Sequence, residues 1–495
     1  MNAIDELLSR MQDIDFVKAR FNEFDDHELV PAEVQSIDGI DSRAAGDVEL
    51  AQRFARLYRG KLLWINESAN WLKWTGTAWA ACENGEELRA AEQILLDIVD
   101  EARERMTVDR KGGGAAMREA LSLQRESRIR AMIALAKAEP GMSAGLTALD
   151  ANPMLLGVVN GVVDLVKGAL IPARPEQYIS RQCSASFSQE ASCPHWLQFL
   201  SDIFRGDQSI IDSVQRLCGY SLTGSNTEEV LVICYGHGAN GKSVFHNVIS
   251  AIFADYSRNA PPDILVQKQI NAGGPSPALA MLAGVRLVGI NELAAGDKLD
   301  EQALKSLAGR EPITARHLYG SFFEYTPQFC AWLRTNHTPI ITGTDHAVWR
   351  RLVVLPFLRQ FNESERDKNL ETKLLAERDG VLSWMVEGAR LWCDSGLALS
   401  DTIQREVATY RTESDVLGQF LSEVSMVQPD SSVPQQKLYQ LWALWCAENG
   451  LRPSSKQSFT RRLAELGFSV IRVSKVWCYS GLALSEDDPE NELSF

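Results

Sequence analysis

Residues 231–250 read LVICYGHGANGKSVFHNVIS, and this stretch decides the fold of the chain. Gly236, four further residues, and then Gly241, Lys242 and Ser243 form the pattern GxxxxGK[ST]. In this pattern the glycines let backbone N–H groups turn towards phosphate oxygens, the lysine reaches the β- and γ-phosphates, and the hydroxyl binds Mg²⁺. The stretch therefore predicts a binding site for a nucleoside triphosphate with Mg²⁺.

The flanks of this loop predict a strand before it and a helix after it. The run 229–235 is mostly apolar, as expected of a buried strand, and apolar residues then recur at helical spacing from Val244 to Ile252. The N-terminus of such a helix faces the phosphates, where its dipole favours negative charge. A chance glycine loop between strand and helix is the alternative interpretation, and the agreement of pattern with flanks argues against it.

Length and composition bound the class of protein. The 495 residues predict about three domains, and 45% hydrophobic with 23% charged residues is ordinary for a soluble globular protein. The sequence contains neither an apolar run of about 18 residues nor a basic start with an apolar segment, so we expect a cytoplasmic protein without a membrane partner. The nine cysteines form no CxxC pair, which predicts reduced thiols. A net charge of −15 excludes a nonspecifically basic protein but allows a local basic lining for nucleic acid.

The chain before the loop predicts an acidic leader over 1–47 and an α+β domain over 48–189. Four tryptophans within 64–79, separated by turn residues, predict a small β-meander; base stacking is the alternative. Periodicity predicts helices over 86–105 and 115–138, broken apart by the glycines at 112–114. Apolar runs around Asn160-Gly161 and Lys167-Gly168 predict tight hairpins.

Two apolar strands after the loop end in polar residues. Leu287–Ile290 precedes Asn291 and Glu292, and a strand starting at Phe329 precedes Asn336. A carboxylate that ends a strand beside the loop strand would orient or deprotonate an attacking water and help to hold Mg²⁺. An asparagine at such an end can bind the γ-phosphate or the water, although a simple turn residue is the common alternative.

Arg350 and Arg351 precede a further apolar strand. Guanidinium groups stabilise charge on a transferring phosphoryl group and are often supplied by a neighbouring subunit. From this stretch alone, an exposed basic pair at a strand start is an equal alternative.

The C-terminal segment 426–484 predicts a helix, a basic helix and a β-hairpin around Ser474-Lys475, followed by an acidic tail over 485–495. This order suggests a winged helix whose second helix meets phosphate; a protein-docking module is the alternative. The basic residues expected to point outward from the second helix are Lys456, Arg461 and Arg462.

The order of these motifs resembles superfamily 3 helicases, specifically the helicase part of phage and plasmid primase–helicases, to which poxvirus-type proteins are also similar. The matching segments are GHGANGKS at 236–243, GVRLVGINE at 284–292, LKSLAGREPITARHLYG at 304–320 and LRTNHTPIITGTDHAVWRRLVVLPF at 333–357. The resemblance spans roughly residues 48–482. It implies an α/β protein, with a helical collar and P-loop AAA+-like ATPase core over 190–425 between the N-terminal α+β domain and a winged-helix-like domain over 426–484.

The resemblance also implies a ring, usually a hexamer, with ATP and Mg²⁺ between subunits. Lys242, Ser243, Glu292 and Asn336 would act within one subunit, with Ser243 and Glu292 at the metal. The remaining nucleotide-binding positions in the loop would be Gly236, Gly238, Asn240, Gly241 and Val244.

A neighbour's Arg350 or Arg351 would reach the γ-phosphate; we favour Arg351 slightly, although the sequence does not separate the two. The hairpin before the Asn336 strand would grip single-stranded DNA. Its candidate DNA contacts are Arg316, His317 and Tyr319, and Lys305 would serve DNA or nucleotide.

The sequence departs from the family pattern in two respects. Asn291 stands where many members of the wider superfamily have a second carboxylate, so Mg²⁺ would depend more on Ser243 and water. The polymerising primase domain of longer relatives has no room before residue 48, so we expect no primer synthesis from this chain alone.

The resulting hypothesis is an ATP-dependent helicase of a phage or mobile element, in the host cytoplasm, acting on single-stranded or forked DNA. A separate primase or polymerase is a candidate partner. Two alternatives stay open: a DNA-binding initiator or loader with a switch ATPase, and a protein-remodelling ATPase.

Overall fold

A computed structural model describes residues 46–266, 277–293, 297–316, 321–341, 346–451 and 453–485. Within these residues the chain forms two compact units: 46–54 with 90–135, and 55–89 with 136–485. Nearly all of the predicted acidic leader and tail lies outside the described residues. The segment boundaries expected from the sequence stay predictions.

Helices and strands alternate mainly between residues 231 and 356, and elsewhere several helices or several strands follow one another. The described helices are α1 (Asp47–Tyr58), α2 (Glu86–Val108), α3 (Arg110–Leu123), α4 (Glu126–Ala136), α5 (Pro194–Ile203), α6 (Gln208–Leu222), α7 (Lys242–Phe253), α8 (Pro277–Ala280), α9 (Glu301–Ala308), α10 (His346–Trp349), α11 (Leu370–Ala376), α12 (Arg378–Ser395), α13 (Asp401–Ser414), α14 (Val416–Val424), α15 (Gln435–Glu448) and α16 (Lys456–Glu465). The described strands are β1 (Leu62–Ile65), β2 (Asn70–Trp74), β3 (Trp79–Ala81), β4 (Ser143–Ala144), β5 (Leu155–Val158), β6 (Gly161–Asp164), β7 (Ala169–Ile171), β8 (Leu231–Tyr235), β9 (Ser257–Ala260), β10 (Leu287–Ile290), β11 (Ile313–Arg316), β12 (Phe322–Tyr325), β13 (Cys330–Thr335), β14 (Leu352–Pro356), β15 (Ser425–Pro434), β16 (Val470–Val473) and β17 (Val476–Leu484). None of these helices is both long and apolar enough to cross a membrane.

The smaller unit is helical, and the break between α2 and α3 does not lie at the three glycines of 112–114. The prediction that 112–114 separate two helices is wrong, because these residues lie inside α3. The break is at Asp109, whose carboxylate accepts a hydrogen bond from the Lys111 N–H at 3.0 Å and caps α3. A Cβ on Gly113 would lie 2.4 Å from the Cα of Met106, so this glycine lets the start of α3 pack closely on the end of α2.

The tryptophan-rich segment of the larger unit forms the predicted meander. β1 pairs with β2 and β2 with β3, all antiparallel, and β4 adds a parallel strand to β1. The indoles of Trp74 and Trp79 meet edge to face at 5.5 Å, and the indole Nε1–H of Trp79 donates to the Pro175 carbonyl at 2.9 Å. The predicted tight hairpins are also confirmed, since β6 pairs antiparallel with both β5 and β7.

A five-stranded parallel sheet forms the centre of the larger unit, in the order β14-β8-β13-β10-β9. Alternate residues enter two separate cores: Val232 and Cys234 pack on one face of the sheet, whereas Leu231 and Ile233 pack on the other. Because both faces are buried, the strands read as continuous apolar runs, which made them recognisable in the sequence.

The strand order corrects one expectation. β10, which leads to Asn291 and Glu292, does not lie beside the loop strand β8, because β13 lies between them and pairs with both. The sequence signals each strand separately, whereas their lateral order depends on crossovers that no local pattern specifies. As a consequence, Asn336 follows a strand that lies between those leading to Lys242 and Glu292.

The C-terminal part contains the predicted helix, basic helix and hairpin as α15, α16 and β16–β17. A third strand, β15, pairs antiparallel with β17 and was not predicted. Its polar run QPDSS reads as a loop, and its pairing is interrupted between Val427 and Ser432. An aromatic core that includes Phe420, Trp442 and Phe459 joins this sheet to its helices.

Candidate functional site

The glycine-rich loop connects β8 to α7 at the carboxyl edge of the parallel sheet. Gly236 has a φ of 152°, and a Cβ there would lie 2.2 Å from the Phe357 carbonyl oxygen, so only glycine fits. Asn240 is buried and braces the loop: its amide donates to the Phe357 carbonyl at 3.0 Å, and its Oδ1 accepts from the Lys242 N–H at 3.4 Å. Gly241, at a φ of 85°, then begins α7.

Lys242 starts a chain of hydrogen bonds across three strands. Its buried ammonium donates to the Gly236 carbonyl and, at 3.0 Å, to Oδ1 of Asn336. The Asn336 amide in turn donates to Oε1 of Glu292 at 2.7 Å. Burial lowers the pKa of Lys242. Three residues singled out in the sequence, 94 positions apart at most, therefore lie in one connected group.

These side chains line an open cleft of about 360 Å³. Ser243 is exposed within it, so its hydroxyl is accessible to a ligand. The cleft also includes Asn291 and Arg334, whose guanidinium donates to Oδ1 of Asn291. Sequence reasoning missed Arg334. The available signal was an arginine directly after the apolar run FCAWL and still within β13, because charged residues are rare in buried strands.

A second cavity of about 600 Å³ adjoins the other side of the loop. The two cavities share part of the loop and the start of α7, including Asn240, Lys242 and Ser243. Phe199 and Phe361 contribute apolar walls to the second cavity. The two cavities therefore adjoin at the loop, and the one that contains Glu292 is the more polar.

Arg350 and Arg351 do not enter this region of the same chain. They precede β14, whose five residues separate them from the carboxyl edge by about 15 Å. Arg351 is 11% exposed and donates to Glu229 at 2.5 Å and to the Ala347 carbonyl at 2.7 Å. Arg350 is 56% exposed, and its ion pair with Glu229 is longer, at 3.6 Å.

The predicted hairpin before β13 is confirmed in its strands, since β11 and β12 pair antiparallel from Ile313–Tyr325 to Arg316–Phe322. The Arg316 guanidinium lies over the Phe322 ring at 4.7 Å. His317 and Tyr319 lie outside the described residues. Lys305 is half-buried in α9.

The basic face predicted for α16 is only partly exposed. Arg461 is 75% exposed, but the expectation that Arg462 points outward is wrong, because its side chain is 19% exposed and pairs with Asp415 at 3.5 Å. Asp415 also caps α14 through the Gly418 N–H, which fixes its position. Lys456 places its ammonium 5.4 Å from the centre of the Tyr439 ring.

Comparison with known families and proteins adds an independent finding. The family described as "D5 N terminal like" matches residues 51–205. A provisionally named helicase of Acanthamoeba polyphaga mimivirus is 28% identical over 337 residues, covering 63% of this chain and 35% of the viral protein. A provisionally named helicase of Invertebrate iridescent virus 6 is 28% identical over 233 residues, covering 45% of this chain and 24% of that protein.

A provisionally named primase of African swine fever virus is also similar, at 26% identity over 221 residues, covering 42% of this chain and 22% of that protein. Among solved structures, the apo A form of the NrS-1 C terminal region aligns with a TM-score of 0.49 and 11% identity, covering 88% of this chain and 100% of that one. By its sequence matches to the viral proteins and to the family, the chain is a primase–helicase-like protein. It spans about a third of the length of the mimivirus relative.

Proposed function

We propose that the protein is an ATP-dependent DNA helicase that assembles into a ring and moves along single-stranded DNA during replication. The observation that carries this proposal is the hydrogen-bonded group Lys242–Asn336–Glu292 beside a glycine-rich loop at the carboxyl edge of a parallel sheet. Ligands of open α/β sheets bind at that edge. The helicase names of the viral relatives support the same class of activity for this chain.

The proposed ATP site spans both cavities and makes this core a P-loop ATPase of AAA+-like type. The phosphates would lie against the loop N–H groups and the start of α7, whose dipole favours anions. The nucleoside would lie in the second cavity, against Phe199 and Phe361.

The residues present also fit a magnesium ion. Ser243 and Glu292 offer the hydroxyl and carboxylate oxygens that hard cations prefer, with water completing the shell. They would hold Mg²⁺, which would neutralise charge on the phosphate oxygens.

The proposed reaction is attack of water on the γ-phosphate. Glu292 would orient the water and accept its proton, since its carboxylate borders the cleft and is held in place by Asn336. Lys242 would stabilise charge on the phosphate oxygens. Asn336 contacts both residues, so it would couple the position of the base to that of the ammonium.

We propose that a neighbouring subunit completes this site with Arg350. The distance of about 15 Å along β14 rules out direct help within one chain. Arg351, which the sequence favoured slightly, is already committed to Glu229 and to a backbone carbonyl. Arg350 is the more exposed of the two, so it is the one more available to a partner's nucleotide. This geometry supports a ring, of which a hexamer is the expected form.

The proposed DNA contacts are the β11–β12 hairpin with Arg316 and the exposed part of α16 with Arg461, in a C-terminal domain of winged-helix type. A cation on a hairpin can contact phosphate, and the Phe322 ring beside it is 59% exposed and available to a base.

The first experiment measures ATP hydrolysis at several protein concentrations, with and without single-stranded DNA, alongside mass in solution and unwinding of a forked duplex. We expect hydrolysis to rise with assembly and with DNA. Lys242→Ala should abolish it, whereas the surface change Lys167→Ala should not. Hydrolysis without unwinding would favour an initiator or loader, and hydrolysis by a monomer indifferent to DNA would favour a remodelling ATPase. Full turnover by Lys242→Ala would refute the site itself.

A further inference from the structure

Arg334 is a partly buried cation that has no anionic partner among the residues the structure describes. In the described part of the chain no carboxylate lies within 4.0 Å of its guanidinium, and its Nε is buried without a hydrogen-bond partner. Within the described residues, the guanidinium donates to the neutral amide oxygen of Asn291. Burying a guanidinium is unfavourable unless a charge compensates it, so this arrangement favours an anionic ligand beside Arg334.

The location of Arg334 identifies which part of a ligand it would meet. The β10–β13 register pairs Ile290 with Leu333, so Asn291 and Arg334 come next to each other at the carboxyl edge. Both line the 360 Å³ cleft together with Lys242 and Glu292, and neither lines the second cavity. With the nucleoside in the second cavity, Arg334 lies at the far end of the phosphate chain.

The charges of this cleft also favour a polyanion. Among the described residues, its lining contains two cations, Lys242 and Arg334, and one anion, Glu292. The glutamate reaches Lys242 only through the Asn336 amide, and it makes no ion pair with Arg334 among the described residues. Both cations are therefore positioned by neutral acceptors and keep their charge for a ligand.

We propose that Arg334 binds the γ-phosphate within the same subunit, and that Asn291 holds the guanidinium in place when that phosphate is absent. This inference rests on the proposed function. It makes Arg334 a residue that distinguishes ATP from ADP. It also gives a role to Asn291: an aspartate there would form an ion pair with Arg334 and withdraw the cation from the phosphate.

The test measures the binding of a non-hydrolysable ATP analogue and of ADP, both with Mg²⁺, by titration calorimetry. Arg334→Gln should weaken binding of the analogue by about tenfold or more and change ADP binding less than twofold, since a charge-assisted hydrogen bond is lost only with the γ-phosphate. Arg334→Lys keeps the positive charge, so it should retain part of the preference for the ATP analogue over ADP. If it does, loss of the fold does not explain the weaker binding of Arg334→Gln. Arg390→Gln, an exposed arginine with two helical ion pairs, serves as the control.

Asn291→Asp separates this proposal from a simple metal-binding role. If Asn291 holds Arg334, the new carboxylate should weaken binding of the ATP analogue more than binding of ADP. If position 291 serves only Mg²⁺, the same change should strengthen binding of the analogue, and the proposal is overturned. Equal weakening of ATP-analogue and ADP binding by Arg334→Gln, with its fold intact, would also overturn it. Failure of the proposed function is different: the wild type would then bind neither nucleotide.

Discussion

Lowering the pH from 7.5 to 5.0 should destabilise the larger unit through one histidine, His246. This residue is 2% exposed in α7 and lies against β10, where a Cβ on Gly289 would come within 2.4 Å of its Nε2. Its Nδ1 is 3.1 Å from the Ser250 hydroxyl, and its Nε2 is buried without a partner among the described residues. Burial, with a smaller effect of the Arg334 charge, lowers the pKa of His246 from 6.5 to about 3.

The size of the effect follows from proton linkage. Between pH 6.5 and about 3 the unfolded chain binds a proton at His246 that the folded chain does not, so stability falls as the pH falls through this range. One pH unit is worth about 1.4 kcal/mol, and pH 5.0 lies about 1.5 units below the unfolded pKa. The expected loss is therefore about 2 kcal/mol. Ordinary carboxyl groups titrate near pH 4 and contribute little above pH 5.

Urea unfolding, followed by tryptophan fluorescence at pH 7.5, 6.5 and 5.0, measures this loss. His246→Gln should remove about 2 kcal/mol of the pH dependence, whatever it does to stability at pH 7.5. His346→Gln, at an exposed histidine in α10, is the matched control and should keep the wild-type pH dependence. A His246→Gln protein with an unchanged difference between pH 7.5 and 5.0 would refute the reasoning.

Three further predictions concern close contacts and the basic pair. Gly289→Ala should cost about 1–3 kcal/mol in urea unfolding, because the added methyl meets the His246 ring at 2.4 Å; wild-type stability would contradict this packing. Gly388→Ala in α12 should also destabilise the fold, because the added methyl would lie 2.0 Å from a backbone carbonyl oxygen of α6. This cost should exceed the gain of about 1 kcal/mol that alanine gives over glycine in a helix. A higher urea midpoint would show instead that the two helices can move apart. Arg350→Ala should abolish assembly-dependent ATP hydrolysis at unchanged thermal stability, whereas Arg351→Ala should lower the melting temperature; the reverse pattern would assign the neighbour's contact to Arg351.

The sequence predicted those parts of the site that depend on local signals. The glycine pattern located Lys242, and polar residues directly after apolar strands located Glu292 and Asn336. Their positions at one edge could be predicted because parallel strands buried on both faces are continuous apolar runs, and because the carboxyl ends of such strands lie at one edge of the sheet. Roles for these residues in catalysis stay predictions.

The remaining features depend on contacts between distant segments. The position of β13 between β8 and β10 follows from crossovers, and β15 is a strand only because β17 pairs with it. The glycines at 112–114 read as a helix break, yet Gly113 serves a close contact with α2. The sequence predicted that Arg462 would be an exposed cation, whereas in the fold it lies beside Asp415 and pairs with it. In each case the sequence shows the residue type but does not show which distant residue becomes its neighbour in the fold.

The same distinction explains why the sequence alone did not identify Arg334 as a candidate site residue. It also bears on the role proposed for this residue. An arginine in a strand gives no sign of its acceptor, and its proposed role depends on that acceptor being an amide. Carboxylates directly against Lys242 and Arg334 would fix both groups but also neutralise them, and a phosphate would then have to compete with a formal ion pair. Here a carbonyl and two asparagine amides hold the two cations. Neutral acceptors hold the two side chains in place and leave their charge available, which is what the proposed exchange of a triphosphate for a diphosphate would require.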